Sequence, residues 1–561
     1  MKESTTTTQS SSDPITTCLN LTNSLLNNEI PTVHHLKSKW SIFKLKLTTL
    51  QTHLTDFSTD YSNTSTTNPL SLHLLHSITQ TLNDAVSLSQ HCQSHSPDLP
   101  LGKLQTQSQL DSLIATLHRH VTDCDVLFRS GLLLETPAFS KREAVRSLSR
   151  NLIARLQIGS SDSRATAIDS LLSLLNEDDK NVTIAVAQGV VPVLVRLLDS
   201  SSSSDMKEKT VAAISRVSIV ESGKNNLLAE GLLLLNHLVR VLDSGSGLAI
   251  EKACIALQAL SFTRDNARAI GSRGGISSLL GICQGGTPGS QASAAAVLRN
   301  LAKFNEIREN FAEENAVVVL LGLASSGTVL AQENAIGCVA NLISEDESMR
   351  ILAFKEGGVE CLKNFWDSAP VIQSLEVGVE MLRYLAMTGP IAEVLVAEGF
   401  VGRVMGMLNC DVLTVRIAAA RAVYAMGLNG GSKTKKEMGE CGCVPFLIKM
   451  LDGKGAEEKE SAAMALSVLL QHPFNRRIFR KDERGIVSAV HLLNPSLVNL
   501  DKKYPVSLLV SLLHSKTCRK QMVAAGACVY TQKLVELDVP GSKKLLDGLG
   551  RGKIWGVFAR P

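Results

Sequence analysis

The chain has 561 residues, of which 44% are hydrophobic and only 4% aromatic, and its formal net charge is +4. The even charge balance and the scarcity of rings argue against nucleic-acid binding, which needs a basic surface and aromatic side chains for base stacking. Residues 1–13 are polar and are expected to be disordered, and the longest apolar stretch, residues 316–324, is too short to span a bilayer. Together with twelve scattered Cys, these features predict a protein of the cytoplasm, the nucleus or both.

Residues 14–135 form the first predicted domain, a helical bundle. Four prolines divide the segment, and after the first of them apolar residues recur at alternating steps of three and four residues. The members of this seam are Val33, Leu36, Trp40, Phe43, Leu47, Leu50, Leu54 and Phe57. A second run of the same kind spans residues 114–128. We therefore expect an antiparallel four-helix bundle, with a coiled-coil dimerisation helix as the alternative.

Two small clusters of potential metal ligands lie in the chain. His91, Cys92 and His95 share one helical stretch, and Cys441 and Cys443 form a lone pair. Neither cluster is followed by a second pair of ligands at the spacing of a zinc site. We therefore predict neither a metal site nor a cofactor.

Beyond residue 140, one motif recurs: a Gly followed by an apolar run with paired Leu or Val residues. Its copies start at Gly189, Gly231, Gly275, Ala316, Gly358, Gly399, Gly442, Gly485 and Gly526. Successive copies lie about 42 residues apart, within the period of HEAT and armadillo units. Each copy begins a helix, which is followed by a polar or Gly-rich break, a longer Ala-rich helix and a short charged helix. Three helices with a Gly-marked bend after the first are typical of armadillo repeats.

These repeats predict an all-α fold, an armadillo-type α-solenoid coiled as a right-handed superhelix and preceded by the four-helix bundle. Residues 141–538 hold about nine to ten repeats. The earliest repeat, around Leu152–Leu156 and Arg164–Leu175, lacks most of a first helix. Residues 539–561 form a basic amphipathic tail. We expect the tail to cap the last repeat, and contact with an anionic membrane is the alternative.

Several repeat motifs resemble those of one protein family. They are Glu230-Gly-Leu-Leu-Leu-Leu, Glu356-Gly-Gly-Val, Glu398-Gly-Phe-Val, Arg299-Asn-Leu-Ala and Ala340-Asn-Leu-Ile. Together with the bundle they resemble plant armadillo-repeat proteins related to plant U-box ubiquitin ligases, in which a helical bundle precedes a U-box and the repeats follow. Between the bundle and the first repeat of this chain only a short linker around residues 135–138 remains, too short for a folded U-box. The resemblance therefore points to the branch that lacks the U-box and implies no ligase activity in the chain itself.

The third helices of armadillo repeats line a groove in which Asn side chains bond the backbone of a ligand, because an amide both donates and accepts. Aligned on Asn300 and Asn341, the third helices place the following residues at one position, here named the ladder: Arg216, Ala259, Asn300, Asn341, Tyr384, Ala425, Val468 and Ser511. Lys209 and Lys252 lie seven residues before this position on the same face. The predicted partner-binding groove thus includes Lys209, Arg216, Lys252, Asn300 and Asn341.

The basic and amide-lined first half of this groove favours a protein segment, extended or helical, that carries acidic or phosphorylated residues. Ordinary solvated surface charges are the alternative. We expect no nucleic-acid partner, no small-molecule substrate and no enzymatic activity. The sequence predicts a protein-binding scaffold or adaptor, and the alternative is a partner that recruits substrates to a separate ubiquitin ligase.

Overall fold

The computed structural model describes residues 13–60, 69–93, 102–130, 140–199, 203–369 and 371–550. Within these ranges the chain is helical and contains no strand. It divides into two compact units, here named the N-terminal unit, up to Leu260, and the C-terminal unit, from Ser261 onward. Residues 1–12 and 551–561, which the sequence predicts to be a disordered start and part of a basic tail, lie outside the described residues. The predicted domain boundaries therefore remain predictions.

The N-terminal unit begins with four helices that share one core. They are α1 (Pro14–Ser24), α2 (Lys37–Asp60), α3 (Pro69–Cys92) and α4 (Lys103–Ser130). Short π and 3₁₀ segments, Leu25–Glu29 and Ile30–Thr32, continue α1. The predicted seam forms the centre of this core, since Trp40, Phe43 and Leu47 are among its fully buried side chains. Leu36 is the exception, because it precedes α2 and has a left-handed backbone.

Helices α2 and α4 are neighbours that run in the same direction. Lys39 Nζ lies 2.5 Å from Asp111 and Lys46 Nζ lies 3.4 Å from His118 Nδ1. Both pairs are 72 residues apart in sequence, so contacts advance together along the two helices. Alternate helices of an up-and-down antiparallel bundle share one direction, so this contact agrees with the predicted bundle. A spacing of three and four residues identifies the buried face of a helix but not the direction of the helix that it faces.

The rest of the N-terminal unit is a stack of helices in which the bundle is followed by repeats. In chain order they are α5 (Lys141–Ile158), α6 (Ser161–Glu177), α7 (Asp179–Ala187), α8 (Val190–Asp199), α9 (Ser204–Ile219), α10 (Glu221–Ala229), α11 (Gly231–Ser244) and α12 (Gly247–Leu260). Helices α5 and α6 form the incomplete first repeat that the sequence predicts. Helices α7–α9 and α10–α12 are complete three-helix repeats, and the third helices α6, α9 and α12 pack on one another in order.

The C-terminal unit consists of seven further three-helix repeats among the described residues. In chain order the helices are α13 (Arg264–Gly271), α14 (Gly275–Gly285), α15 (Pro288–Leu301), α16 (Arg308–Glu313), α17 (Ala316–Ser326), α18 (Val329–Ile343), α19 (Glu347–Lys355), α20 (Gly358–Ser368), α21 (Leu375–Leu385), α22 (Gly389–Ala397), α23 (Phe400–Leu408), α24 (Leu413–Asn429), α25 (Ser432–Glu440), α26 (Cys443–Leu451), α27 (Ala456–Leu469), α28 (Pro473–Phe479), α29 (Glu483–His491), α30 (Lys503–Leu512), α31 (Lys516–Ala524), α32 (Ala527–Glu536) and α33 (Ser542–Gly550). Each third helix packs against the next, from α15 through α30 to α33. Buried alanines such as Ala294, Ala295 and Ala419 allow this close approach.

A left-handed residue makes the bend between the first and second helices of most repeats. Gly189, Gly399 and Gly442 have φ of 85°, 78° and 92°, a conformation in which a side chain is strained. In the repeat that starts with α13, the bend lies at Gly274 rather than at the predicted Gly275. Gly275 is needed for space instead, because a Cβ there would lie 2.7 Å from Ile270.

An Arg near the start of the first helix caps the third helix of the preceding repeat. Arg350 is buried, and its Nη1 donates to the carbonyl of Ile343 at 3.0 Å. Arg308, Arg476 and Arg519 each donate to a carbonyl six residues earlier. These bonds satisfy carbonyls that a helix C-terminus leaves unpaired and place a positive charge at the negative end of its dipole.

The last helix, α33, extends the repeats past the predicted boundary at residue 538. Leu545 and Leu549 are buried, and α33 packs against α30, α31 and α32. The first part of the predicted tail therefore lies in the structure as the third helix of the last repeat.

Candidate functional site

The exposed sides of the third helices are the candidate site, because they present one residue position from successive repeats. In the N-terminal unit this face carries the predicted cations. Lys209 Nζ lies 2.9 Å from Asp169 and 3.1 Å from Asp205, and these hydrogen bonds raise the pKa of Lys209. Arg216 lies 2.5 Å from Asp179. The two cations are therefore already paired with carboxylates of the same unit.

Lys252, the third predicted cation, lies 3.8 Å from Glu251 on the same helix. Three cations and four carboxylates thus share this part of the face. The local charge is close to balanced and not strongly basic, in contrast to what the sequence pattern suggested. The carboxylates that pair with Lys209 and Arg216 from neighbouring helices lie 40 and 37 residues earlier in sequence.

The predicted Asn ladder lies in the C-terminal unit, where its amides bond the protein itself. Asn341 Nδ2 donates to the carbonyl of Arg299 at 2.9 Å, and Asn300 Nδ2 donates to Ser261 Oγ at 3.0 Å. Asn334 Nδ2 donates in the same way to the carbonyl of Ala292 at 3.2 Å. These bonds hold successive repeats together, so at least one donor of each amide has a structural role.

Two aromatic residues on the same face, Tyr424 and Tyr504, were missed by the sequence reasoning, whereas Tyr384 was identified at the ladder position. Tyr424 of α24 and Tyr504 of α30 meet edge to face, with ring centroids 6.0 Å apart, although α27 packs between these two helices in the order of the stack. Tyr384, at the ladder position, lies under the guanidinium of Arg383 at 4.1 Å. Burial raises the pKa of Tyr384, so its hydroxyl remains a hydrogen-bond donor at neutral pH.

A row of exposed apolar side chains follows the ladder by three residues. In the C-terminal unit they are Phe262, Met387 and Leu428, here named the apolar rim, which are 52%, 47% and 52% exposed. The other repeats of this unit carry polar residues at the same offset: Lys303, Ser344, Gln471 and His514. Ile219 takes the equivalent place in the N-terminal unit and is also exposed. The common offset from the ladder is the signal that would have identified the rim from the sequence.

The described residues contain no cluster of three or more His, Cys, Asp or Glu that could hold a metal ion. Cys92, from the first candidate metal cluster, is a buried free thiol, and His95 lies outside the described residues. Cys441 and Cys443 are also free thiols.

No single helix of the described part is long and apolar enough to cross a membrane. Two consecutive helices, Asp179–Ala187 and Val190–Leu198, would together have the length and apolar composition of a membrane span. The chain bends by 85° between them.

Two family models match parts of the chain. Residues 16–132 match a domain of unknown function, DUF7032, and residues 178–219 match the armadillo/beta-catenin-like repeat. The first match coincides with helices α1–α4, and the second coincides with the complete repeat α7–α9.

Two curated relatives come from Arabidopsis thaliana. The chain is 27% identical over 230 residues to U-box domain-containing protein 8, which covers 40% of this chain and 60% of that protein. It is 33% identical over 82 residues to U-box domain-containing protein 10, covering 15% of this chain and 13% of that protein. The chain thus spans 60% of the length of the first relative and much less of the second.

Solved structures show a similar fold. An engineered protein known from a crystal structure superposes with a TM-score of 0.61 over 72% of this chain and 99% of its own, at 22% identity. A designed armadillo repeat protein covers 42% of this chain and 98% of its own, with a TM-score of 0.38 and 20% identity, and we base no argument on that second likeness. Together with the repeat match, the helices confirm the all-α, armadillo-type solenoid predicted from the sequence.

Proposed function

Because this chain is an armadillo-repeat protein related to plant U-box domain-containing proteins, we propose that it is a non-enzymatic scaffold or adaptor of the cytoplasm or nucleus. It binds a polypeptide segment along the exposed sides of its third helices. Armadillo solenoids are typically protein-binding, and a stack of repeats offers an extended surface rather than an enclosed pocket.

The apolar rim is the observation that supports this proposal. Large apolar side chains at one repeated position remain about half exposed, although the same helices bury apolar side chains on their other faces. Tyr384, Tyr424 and Arg383 lie beside the ladder, and Tyr and Arg are enriched where proteins bind each other tightly. Exposed apolar side chains spread over several repeats, with Tyr and Arg beside them, fit a polypeptide better than a small substrate.

The acidic or phosphorylated segment remains our proposed ligand for the N-terminal unit. Such a ligand has to displace Asp169, Asp179 and Asp205 from Lys209 and Arg216. Exposed ion pairs are weak and exchange readily. A phosphate group carries more charge than a carboxylate, so it competes for the same cations effectively.

The test is affinity purification of the full chain with quantitative mass spectrometry, comparing variants. Met387→Glu with Leu428→Glu should deplete the specific partners at least tenfold, because a charge in an apolar contact is left without a counterion. The matched control is Val318→Glu with Val529→Glu, which changes exposed apolar residues on the second helices α17 and α32. Equal loss in both double variants, or no loss in either, would contradict the proposal.

The charge part is tested with the partner found in that way. Lys209→Glu with Arg216→Glu should weaken its binding, while Asp169→Asn with Asp179→Asn should strengthen it by removing the competing carboxylates. Lys207→Glu is the matched control, since Lys207 is exposed and lies on the same helix, two residues from Lys209. If the aspartate variants weaken binding, the ligand is not acidic.

Recruitment of substrates to a separate ubiquitin ligase is a second candidate, favoured by the 230-residue similarity to U-box domain-containing protein 8. In that case the purification recovers a ligase whose retention survives the rim variants, because the ligase and the substrate occupy different surfaces. In reconstitution, ubiquitination of the rim-bound partner should then require the chain. Ubiquitination that proceeds equally without the chain would exclude this role.

A further inference from the structure

A cavity of about 540 Å³ lies in the N-terminal unit where the bundle meets the first repeats. It is lined by α3 and α4 of the bundle, by the end of α5 and the glycine after it (Gln157–Gly159), and by residues of α6 and α8. Its volume is within the range of pockets that hold small organic ligands. The cavity is separate from the exposed sides of the third helices that form the candidate site.

The charged side chains of this cavity are mostly cationic. Arg119 of α4, Arg164 of α6 and Arg196 of α8 line it, and Asp123 is the one carboxylate among its described lining residues. No described carboxylate lies within ion-pair distance of these three guanidinium groups, in contrast to Lys209 and Arg216 on the third helices. The three arginines outnumber the single lining carboxylate, so the cavity has an excess of positive charge.

Two of the residues that line the cavity each have one buried polar atom without a hydrogen-bond partner. Arg164 Nε and His120 Nδ1 are buried, and neither makes a hydrogen bond to the described residues. Arg164 is held in place by a bond from Nη2 to the carbonyl of Gln157 at 3.1 Å, and His120 Nε2 lies 2.9 Å from Thr81 Oγ1. Both atoms have almost no accessible surface, so a ligand in the cavity would not bond them directly, and the charged groups that line the cavity carry the argument.

Asp123 interacts electrostatically with two of the arginines, Arg119 and Arg164, so three guanidinium groups face one carboxyl in this cavity. Burial is the largest effect on this carboxyl and raises its pKa, although Arg119 and Arg164 act in the opposite direction. Taking a carboxylate out of water disfavours its charged form.

We propose that this cavity binds a small molecule or headgroup that carries several phosphate groups. Three arginines from the bundle and from two repeats converge on it, and guanidinium groups bond phosphate oxygens in pairs. The cavity of about 540 Å³ has room for a compact carrier of several phosphates, which offers more oxygens to the three arginines than inorganic phosphate does. Such a ligand would tie the bundle to the repeats, because its contacts come from both.

The test is isothermal titration calorimetry of the full chain with inorganic phosphate, pyrophosphate and inositol hexakisphosphate as probes. We expect affinity to increase with the number of phosphates. Arg119→Gln and Arg196→Gln should each weaken binding of inositol hexakisphosphate about tenfold, the effect of losing one charge-assisted bond. Both residues are exposed, so these variants should fold, which unchanged thermal melting without ligand would verify.

Arg129→Gln is the matched control, since Arg129 is exposed on the same helix as Arg119 and does not line the cavity. Sedimentation with phosphatidylcholine vesicles, with and without phosphatidylinositol bisphosphate, distinguishes the source of the phosphates. Arginine-dependent sedimentation only with the phosphorylated lipid assigns a headgroup, and calorimetric binding without sedimentation assigns a soluble molecule. Absence of binding to every probe, or equal weakening by Arg129→Gln, would overturn the proposal.

Discussion

Replacement of Arg350 by Met should weaken the junction between two repeats of the C-terminal unit. The guanidinium donates to the carbonyls of Ile343 and Ser344 at 3.0 and 3.3 Å and to Thr388 Oγ1 at 3.2 Å. Met fills much of the same volume but donates no hydrogen bond, so two carbonyls at the end of α18 lose their partner. A buried group left without its partner costs about 1–3 kcal/mol, and we expect a total loss of about 3 kcal/mol.

Hydrogen–deuterium exchange with mass spectrometry is the suitable assay, because a chain with several units does not unfold in one step. A loss of about 3 kcal/mol corresponds to exchange faster by roughly two orders of magnitude at the end of α18 and in α19. Arg268→Met is the control, since Arg268 is exposed and its contact with Glu306 is 3.9 Å long. Equal exchange in the two variants would refute the capping role of Arg350.

The remaining predictions concern the repeat bend and a buried histidine. Gly399→Ala should destabilise the protein by about 1–2 kcal/mol, because Gly399 has φ of 78°. Gly402→Ala, inside α23 where a Cβ would meet no neighbour, should instead stabilise it by about 0.5–1 kcal/mol. Melting temperatures that shift in the same direction for both variants would contradict this. Asn315→Gly should stabilise by up to about 1 kcal/mol, since Asn315 has φ of 52°, and an unchanged or lower melting temperature would count against it. Burial and the nearby Arg119 lower the pKa of His120 to about 4. As pH falls from about 6.5 to 4, the imidazole is protonated in the unfolded chain before it is protonated in the folded one. The free energy of unfolding should therefore decrease by up to about 3 kcal/mol over that window. His120→Gln should make the urea midpoint less dependent on pH there, and an unchanged dependence would show that His120 is not responsible.

The helices and the repeats could be predicted from the sequence, because apolar spacing and the repeat period are visible within short segments of it. The seam from Val33 to Phe57 marked the core of the bundle, and the recurring Gly motif marked the repeats. It could not identify α4 as the parallel neighbour of α2, because that depends on connections and on packing between distant segments. The pattern also could not show which of Gly274 and Gly275 has the left-handed backbone of the bend. Gly274 has it, and Gly275 is needed because a side chain there would clash with its neighbours.

For the candidate site, the sequence identified positions but not their partners. Lys209, Arg216 and Lys252 were recognised as cations on one face, whereas the carboxylates that pair with Lys209 and Arg216 come from about one repeat earlier. A search for opposite charges at an offset of one period would have found Asp169 and Asp179. Likewise, Tyr424 and Tyr504 are separated by about two periods, and only the curvature of the stack brings their rings together.

Site-specific photocrosslinking tests the central claim most directly. A photoreactive amino acid replaces Met387 or Leu428 on the apolar rim in one set of variants, and Val318 or Val529 on the second helices in the other. The proposed function predicts that the same partner polypeptide is captured from the rim positions and not from the second helices. Capture only from the second helices, or from none of the four positions while the partner remains bound, would contradict it.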